Sequence, residues 1–386
     1  MKIKTLIVAV LITFIFFSNS SSIYSLEKET HAILNEKIAQ GTINNFSLNT
    51  YLINQLGLKG GVNELINNKE VYRWIRDGGK TEDEPFYTRS FNHFHNPLLP
   101  WDQAGLKGTF TFKSAILWAQ DQGAFGSLFG GNYSWKAVRN YYYLGLTSFT
   151  KNDREKNLAD TFRGLGQLMH LVEDSSVPAH ARNDGHVFYN YETWVDKIRG
   201  TDPAKFQNLF SNPVFFGGTI NSISTLFDTD QYNGGNPQDT LLNTVGISEY
   251  TNANFFSDDT ILNNNPTPDQ TFPYPRVSSA NTQICEDYAD GSTNKRKYIS
   301  RNIAGLCPQA GSGQVDHFAT VSLLNEESLI TNDNISNLRL WLDDNVHNTY
   351  AKELLPRAVG YSAGLLNYFF RGLLEESDVA PIKDTE

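Results

Sequence analysis

Cysteine is almost absent from this chain of 386 residues; Cys285 and Cys307 are the only two. Two thiols 22 positions apart, far in sequence from the histidines considered below, are too few to serve as metal ligands. In an exported chain they are expected to pair in one disulfide. Positive charge is also short: 32 Lys and Arg stand against 42 Asp and Glu, a formal net charge of -10. Such a chain has no general basic field for a polyanion, so any phosphate recognition must be local, with bound metal ions supplying the positive charge. No Gly-rich phosphate loop is present, so no nucleotide cofactor is expected. No internal repeat is found. Long apolar runs are missing apart from Leu6 to Phe17, which is 12 residues and short of the roughly 20 needed to span a bilayer.

That one run follows Lys2 and Lys4 and precedes the small polar residues Ser18 to Ser22, then Ile23-Tyr24-Ser25. This is the order of an export signal. Cleavage after Ser20, Ser22 or Ser25 would each leave a small residue behind. We take residues 1–25 as the signal, and a periplasmic or extracellular destination follows. Loss of Lys2 and Lys4 takes the net charge from -10 to -12, and the mature chain should be soluble.

Helical spacing dominates the first half. Ile33, Leu34, Ile38 and Ile43 suggest one stripe. Leu52, Ile53 and Leu56 form a patch before the turn at residues 57–61, and Val62, Leu65 and Ile66 resume the spacing. Phe112, Ala115, Ile116 and Ala119 predict a helix over 110–120. Trp135, Val138, Tyr142 and Leu146 predict another over 134–149, and Phe162, Leu165, Met169 and Val172 a third. Composition changes after about residue 203: the stretch to about 315 is rich in Asn, Asp, Thr, Gly and Pro and holds no histidine. It reads as a loop-rich insertion over 205–315, with a few short strands, set on the helical region 26–204. Helical periodicity returns from about 316. The C-terminal helices over 316–374 are expected to complete the core, the last running from Asn348 to Leu374, with 375–386 a frayed tail.

The densest chemistry lies at 169–194, MHLVEDSSVPAHARNDGHVFYNYETW. His170, Asp174, His180, His186 and Glu192 fall within 23 positions, and these are three of only eight histidines. His170 and Asp174, four apart, share one helix face. Pro178 is expected to end or kink that helix and turn the chain back before His180. A polar surface helix followed by a loop would account for Asp174 but not for three histidines. Imidazole nitrogens and carboxylate oxygens are the ligands of hydrolytic zinc sites. His31 lies five positions after Leu26, close to the α-amine that cleavage at Ser25 would free. His93 and His95, in RSFNHFHNPLLPW, follow the acidic run Glu82-Asp83-Glu84; one of the two is a ligand candidate and the other structural.

GQLMHLVEDSSVPAH, then NDGH and YETWVD, resembles the zinc-dependent phospholipase C and S1/P1-type nuclease superfamily. The shared pattern is His-x3-Asp-x5-His, a further His, and an acidic residue opening the next helix. His170, Asp174 and His180 match that spacing, Glu192 matches the acidic ligand, and His31 matches the early histidine. NHF around His93, with an acidic residue upstream, matches the remaining pair. The likeness covers about residues 26–200. Two departures stand out: leucine replaces the usual N-terminal tryptophan, and His186 to Glu192 spans six positions rather than four.

The resemblance implies a mainly α, phospholipase C/P1 nuclease-like helical bundle holding three zinc ions. One would be held by Asp83, His93, His170 and Asp174, with Glu82 and Asp77 as alternatives to Asp83. A second would be held by His31, the amino-terminal Leu26 and Asp174 as a bridge, and a third by His180, His186 and Glu192. Asp83 and Asp174 are the expected catalytic carboxylates, and Asp184 is a candidate partner to a ligating histidine. The expected reaction is phosphodiester hydrolysis by a metal-activated water. A phospholipid is the first expectation, with transient contact at a membrane surface; single-stranded nucleic acid or a 3′-nucleotide is the alternative. Phe94, Trp101, Phe188, Tyr189 and Tyr191 are the aromatic candidates for substrate contact. A non-catalytic exported zinc-binding protein, with 205–315 as its interaction surface, is a third reading.

Overall fold

A computed structural model of the chain describes residues 27–107, 112–185, 189–262, 272–277, 280–302, 305–323 and 338–371. The expected signal over 1–25, Leu26, His186, Phe188 and the tail 375–386 lie outside them. The chain is mainly α with small sheets. In chain order, the elements that matter here are α1 (Lys28–Gln40), α2 (Val71–Thr81), α3 (Ala115–Gln120), α4 (Gly123–Leu128), α5 (Trp135–Thr147) and α6 (Lys151–Asp174). They are followed by α7 (Pro178–Ala181), α8 (Tyr191–Thr201), α9 (Ile247–Asn254) and α10 (Asp344–Phe370).

Helix α6 is the axis of the fold. Thr150 caps it, its hydroxyl accepting from the Asp153 amide at 3.1 Å, and its first turn faces water. From Gly164 to Asp174 every residue is buried, because α1, α2, α5 and α10 pack around it. A helix so enclosed is apolar all round, so His170, Glu173 and Asp174 at its end are polar groups in the core. α2 and α6 meet backbone to backbone: a Cβ on Gly166 would overlap the Ile75 carbonyl oxygen, and one on Gly78 the Arg163 carbonyl oxygen. That closeness lets Asn35 of α1 donate to the Gly166 carbonyl at 3.0 Å. It also brings the end of α2 against His170.

The sequence expectation for Pro178 needs correction. α6 has already ended at Asp174, and Pro178 opens α7 at its first position, where its missing N–H is an orphan in any case. The helix expected over 110–120 starts only at Ala115. The return of helical periodicity at 316 is also corrected. Ala319–Val321 and Leu340–Trp341 are strands, and the final helix begins at Asp344. These strands, β3 and β4, follow β1 (Gln283–Tyr288) and β2 (Lys295–Ser300) in an antiparallel sheet ordered β1-β2-β3-β4, with Cys285 opposite Tyr298 and Val321 opposite Leu340. The β-branched Thr320 and Val321 and the aromatic Trp341 outcompete the helical reading there. Cys285 and Cys307 form a disulfide.

Residues 205–315 are built into the same core. Phe206, Phe227, Ile247, Phe255, Tyr298 and Ile299 are buried in one cluster with Leu165 of α6 and Leu354 of α10. No helix among the described residues is long and apolar enough to cross a membrane.

Candidate metal centre

Among the described residues, three overlapping groups of buried side chains converge where the first turn of α1 meets the C-terminal ends of α2 and α6. They are Glu82, Asp83, His93 and His170; His31, His170 and Asp174; and Asp174, His180 and Glu192. Within each group the ligand atoms lie within 4.8 Å of one another, so each group can hold a metal ion.

Each donor is aimed by a neighbour. His170 turns its Nδ1 to the Gly79 carbonyl at 2.7 Å, a bond that the glycine-mediated approach of α2 makes possible. Its Nε2 then faces Asp174 Oδ2 at 3.1 Å and Asp83 Oδ2 at 3.7 Å. His31 of α1 stacks on the His170 ring with centroids 3.7 Å apart. Its Nδ1 meets Glu173 Oε2 at 2.6 Å and its Nε2 faces Asp174 Oδ1 at 3.1 Å. His93 places Nδ1 2.7 Å from Asp174 Oδ2 and 3.3 Å from Asp83 Oδ1. Its Nε2 lies 2.5 Å from Glu82 Oε2. The two Asp174 oxygens therefore serve different histidines, Oδ1 facing His31 and Oδ2 facing His93 and His170. His180 follows on α7, its Nδ1 3.7 Å from Asp174 and its Nε2 3.4 Å from Glu192. Asn190 fixes Glu192 through a capping box with Thr193. This sets the carboxylate in the first turn of α8, where the helix dipole favours negative charge.

Charge balance explains the chemistry. Glu82, Asp83, Glu173, Asp174 and Glu192 are all buried. The fixed cation among them is Arg89, which donates to Glu82 Oε1 at 2.7 Å and to the Glu82 carbonyl at 2.5 Å. Buried carboxylates require compensating charge. Burial pushes the His31 imidazole down, but Asp174 and Glu173 outweigh it and raise the group to about 10. His93 is raised well above its usual value by Glu82, Asp83 and Asp174 against the same burial. Burial pushes Glu82 up, yet Arg89 and His93 hold it at about 2. Asp174 is depressed well below the carboxylate range by His170, His180 and His31. The pocket thus attracts protons to His31 and His93; a cation held there can take their place.

The resemblance implies Asp83 as the upstream acid, with Glu82 and Asp77 as alternatives. Asp77 is set aside: it is partly exposed and paired with Lys69 and Arg76. Asp83 points at His93 and His170. Glu82 also borders them, but Arg89 and the Trp118 indole, which donates to Glu82 Oε1 at 3.0 Å, engage it from the far side. His95 turns away, to Asp228 at 2.9 Å. Asp184 accepts from the Asp259 amide at 3.1 Å. Of the aromatic candidates, Phe94 and Tyr191 are core, Phe94 packing on the His180 ring at 4.5 Å. Trp101 donates to Asp228, and Tyr189 to Asp344.

Two residues escaped the sequence reading. Glu173 orients His31; its signal is a Glu-Asp doublet closing the buried half of α6. His347 of α10 is fully buried beside Tyr189, Tyr191 and Trp194. Neither of its ring nitrogens has a hydrogen-bond partner among the described residues. Burial lowers it to about 4. A lone histidine carries no spacing signal.

Comparison of the chain with protein-family models, curated proteins and solved structures returns no match.

Proposed function

We propose that this chain is an exported zinc-dependent phosphodiester hydrolase of the phospholipase C and S1/P1-type nuclease superfamily, with the helical fold of that group and a phospholipid as its substrate. The observation that carries the reading is the shared carboxylate: Asp174 faces His31 with one oxygen and His93 and His170 with the other. A structural zinc site is closed by four ligands on one ion. A carboxylate between two donor sets is what a pair of close ions needs.

In this reading His31 and Asp174 hold one ion, and Asp83, His93, His170 and Asp174 a second. His180 and Glu192 hold a third. Leu26 and His186, which the resemblance assigns to the second and third groups, are outside the described residues. Zinc bound there would supply charge for the phosphoryl oxygens and acidify a water. Asp83, facing His93 and His170, is placed to accept the proton of the attacking water at a carboxylate oxygen. Glu173, Gly79 and Glu82 keep the three imidazoles in one orientation, as partners behind metal ligands do. The reaction forms one P–O bond to water and breaks one to the leaving alcohol. The acidic chain counts against tight binding of a nucleic-acid duplex.

The test is a substrate panel with zinc-reconstituted protein: choline and ethanolamine phospholipids, single-stranded DNA, RNA and 3′-nucleotides, with metal content measured in parallel. We expect about three zinc ions per chain and hydrolysis of phospholipid. Preference for nucleic acid would move the assignment to the nuclease branch. One zinc or none with no hydrolysis would leave a non-catalytic metal-binding protein.

A further inference from the structure

Positive charge and exposed apolar surface are concentrated in the same stretch of this chain. Residues 103–150 contain Lys107, Lys113, Lys136 and Arg139 against the single acid Asp121, in a protein of net charge -10. All four basic residues are exposed. The same stretch holds six of the fifteen large hydrophobic side chains exposed among the described residues.

They make a ribbon of two segments, one at α4 and one on the outer face of α5, with the Lys136–Asp121 pair between them. Phe125 and Leu128 project from α4 and Phe129 caps its end, with Leu128 77% exposed. Lys136, at the start of α5, reaches back to Asp121 at 3.2 Å, and Asp121 Oδ1 accepts from the Gly123 amide that begins α4. From Lys136 the outer face of α5 continues at helical spacing through Arg139, Tyr143 and Leu146. It ends on Phe149, 89% exposed. Scattered exposed hydrophobics need no explanation, whereas six in one stretch interleaved with basic groups do. Aromatic and aliphatic side chains beside Lys and Arg are the composition of a segment that lies in the headgroup layer of a membrane.

We propose that α4 and the outer face of α5 form a docking surface for a lipid bilayer bearing anionic headgroups. Charge complementarity selects that occupant: the rest of this acidic chain is repelled by such a bilayer, and the ribbon is drawn to it. The surface is wired to the metal centre. Arg89 donates to the carbonyls of Phe129 and Gly131 at 3.1 and 2.9 Å and, from the same guanidinium, to Glu82. The Phe125 ring packs on Trp118 at 6.2 Å, and Trp118 also holds Glu82. Docking through α4 therefore sets the orientation of the cluster toward the bilayer. The proposal does not depend on the hydrolase reading, since it concerns binding alone.

Sedimentation of the full, zinc-loaded chain with vesicles tests it. Vesicles of phosphatidylcholine alone are compared with equal parts phosphatidylcholine and phosphatidylserine. We expect binding to the mixed vesicles that weakens with salt, and at least a tenfold loss in the pair Leu128→Ser and Phe149→Ser. Leu306→Ser, 98% exposed in the loop after β2, should bind as the unaltered chain does. Lys136→Glu with Arg139→Glu should abolish the preference for phosphatidylserine. Turnover of a soluble phosphodiester, measured alongside, separates the two readings. Turnover without vesicle binding overturns the docking surface only; vesicle binding without turnover leaves it standing. Equal binding by the Leu128/Phe149 pair and the unaltered chain refutes it. So does concentration-dependent dimerisation that Leu128→Ser abolishes, because the ribbon would then be a contact between copies.

Discussion

Gly166→Ala should lower both the stability of this protein and its grip on zinc. A methyl group at Gly166 overlaps the Ile75 carbonyl oxygen and crowds the Gly79 amide. Both belong to the backbone of α2, which cannot rotate aside as a side chain can, so α2 and α6 must part by roughly an ångström to restore contact distance. Overpacking of this kind costs about 1–3 kcal/mol, and a clash with backbone belongs at the upper end. Alanine's helix preference over glycine offsets about 1 kcal/mol, leaving a net loss of about 2 kcal/mol. With an unfolding entropy near 2.1 cal/mol/K per residue, a domain of roughly 350 residues should melt about 3 °C lower. The same displacement lengthens the His170 bond to Gly79, now 2.7 Å. Loss of a partner behind a metal ligand weakens metal affinity roughly 10–100-fold. Thermal melts with and without zinc, and zinc competition against a chelator, measure both effects. Gly200→Ala is the control. Gly200 has no atom within 4 Å of an added Cβ and lies in the last turn of α8, so it should gain up to about 1 kcal/mol and bind zinc unchanged. A Gly166→Ala protein that melts with the unaltered chain and keeps its zinc affinity would refute the backbone contact as the device that sets His170.

Asp174→Asn should reduce hydrolysis far more than Glu192→Gln, because Asp174 faces all four described histidines of the cluster through its two oxygens, whereas Glu192 faces His180 alone. Steady-state rates with zinc content measured in parallel check the order, and equal losses at full zinc occupancy would contradict a bridging role. His347 is held near 4 by burial, against an unfolded value of 6.5. A depressed histidine adds no penalty above pH 6.5 and destabilises as pH falls from 6.5 toward 4, by up to roughly 3 kcal/mol. His347→Leu should therefore flatten the acid limb of urea-denaturation stability between those values; an unchanged slope would show that His347 does not titrate on unfolding.

What could be read in the chain, and what could not, follows from the range of each signal. His170 and Asp174 share a face because they are one helical turn apart, a rule needing no knowledge of the fold. The absence of any other thiol left Cys285 with only Cys307. The preference for Asp83 over Glu82 and Asp77 has no local sequence signal, because the residues that separate them, Arg89, Trp118 and Lys69, act through packing and pairing in space. Sequence spacing assigns the strands at 319–321 and 340–341 to helix because short apolar runs carry no period of their own. The loop-rich composition of 205–315 hid Phe227, Ile247 and Phe255, which enter the core in runs of one or two apolar residues, too short to show a period.

The histidines and carboxylates of the centre come from distant parts of the chain: His31 meets Glu173 across 142 positions, and His93 meets Asp174 across 81. Contacts of such long range form late, since loop closure must be completed before they stabilise anything. The centre is therefore a clock for folding. Zinc should be captured only after α1, α2 and α6 have docked. A chelator present through the early phase of refolding should leave the growth of helical signal unchanged, while one present at the end should withhold the last increment of stability. The interval between those two events measures how long this chain carries its five buried carboxylates without a metal to balance them.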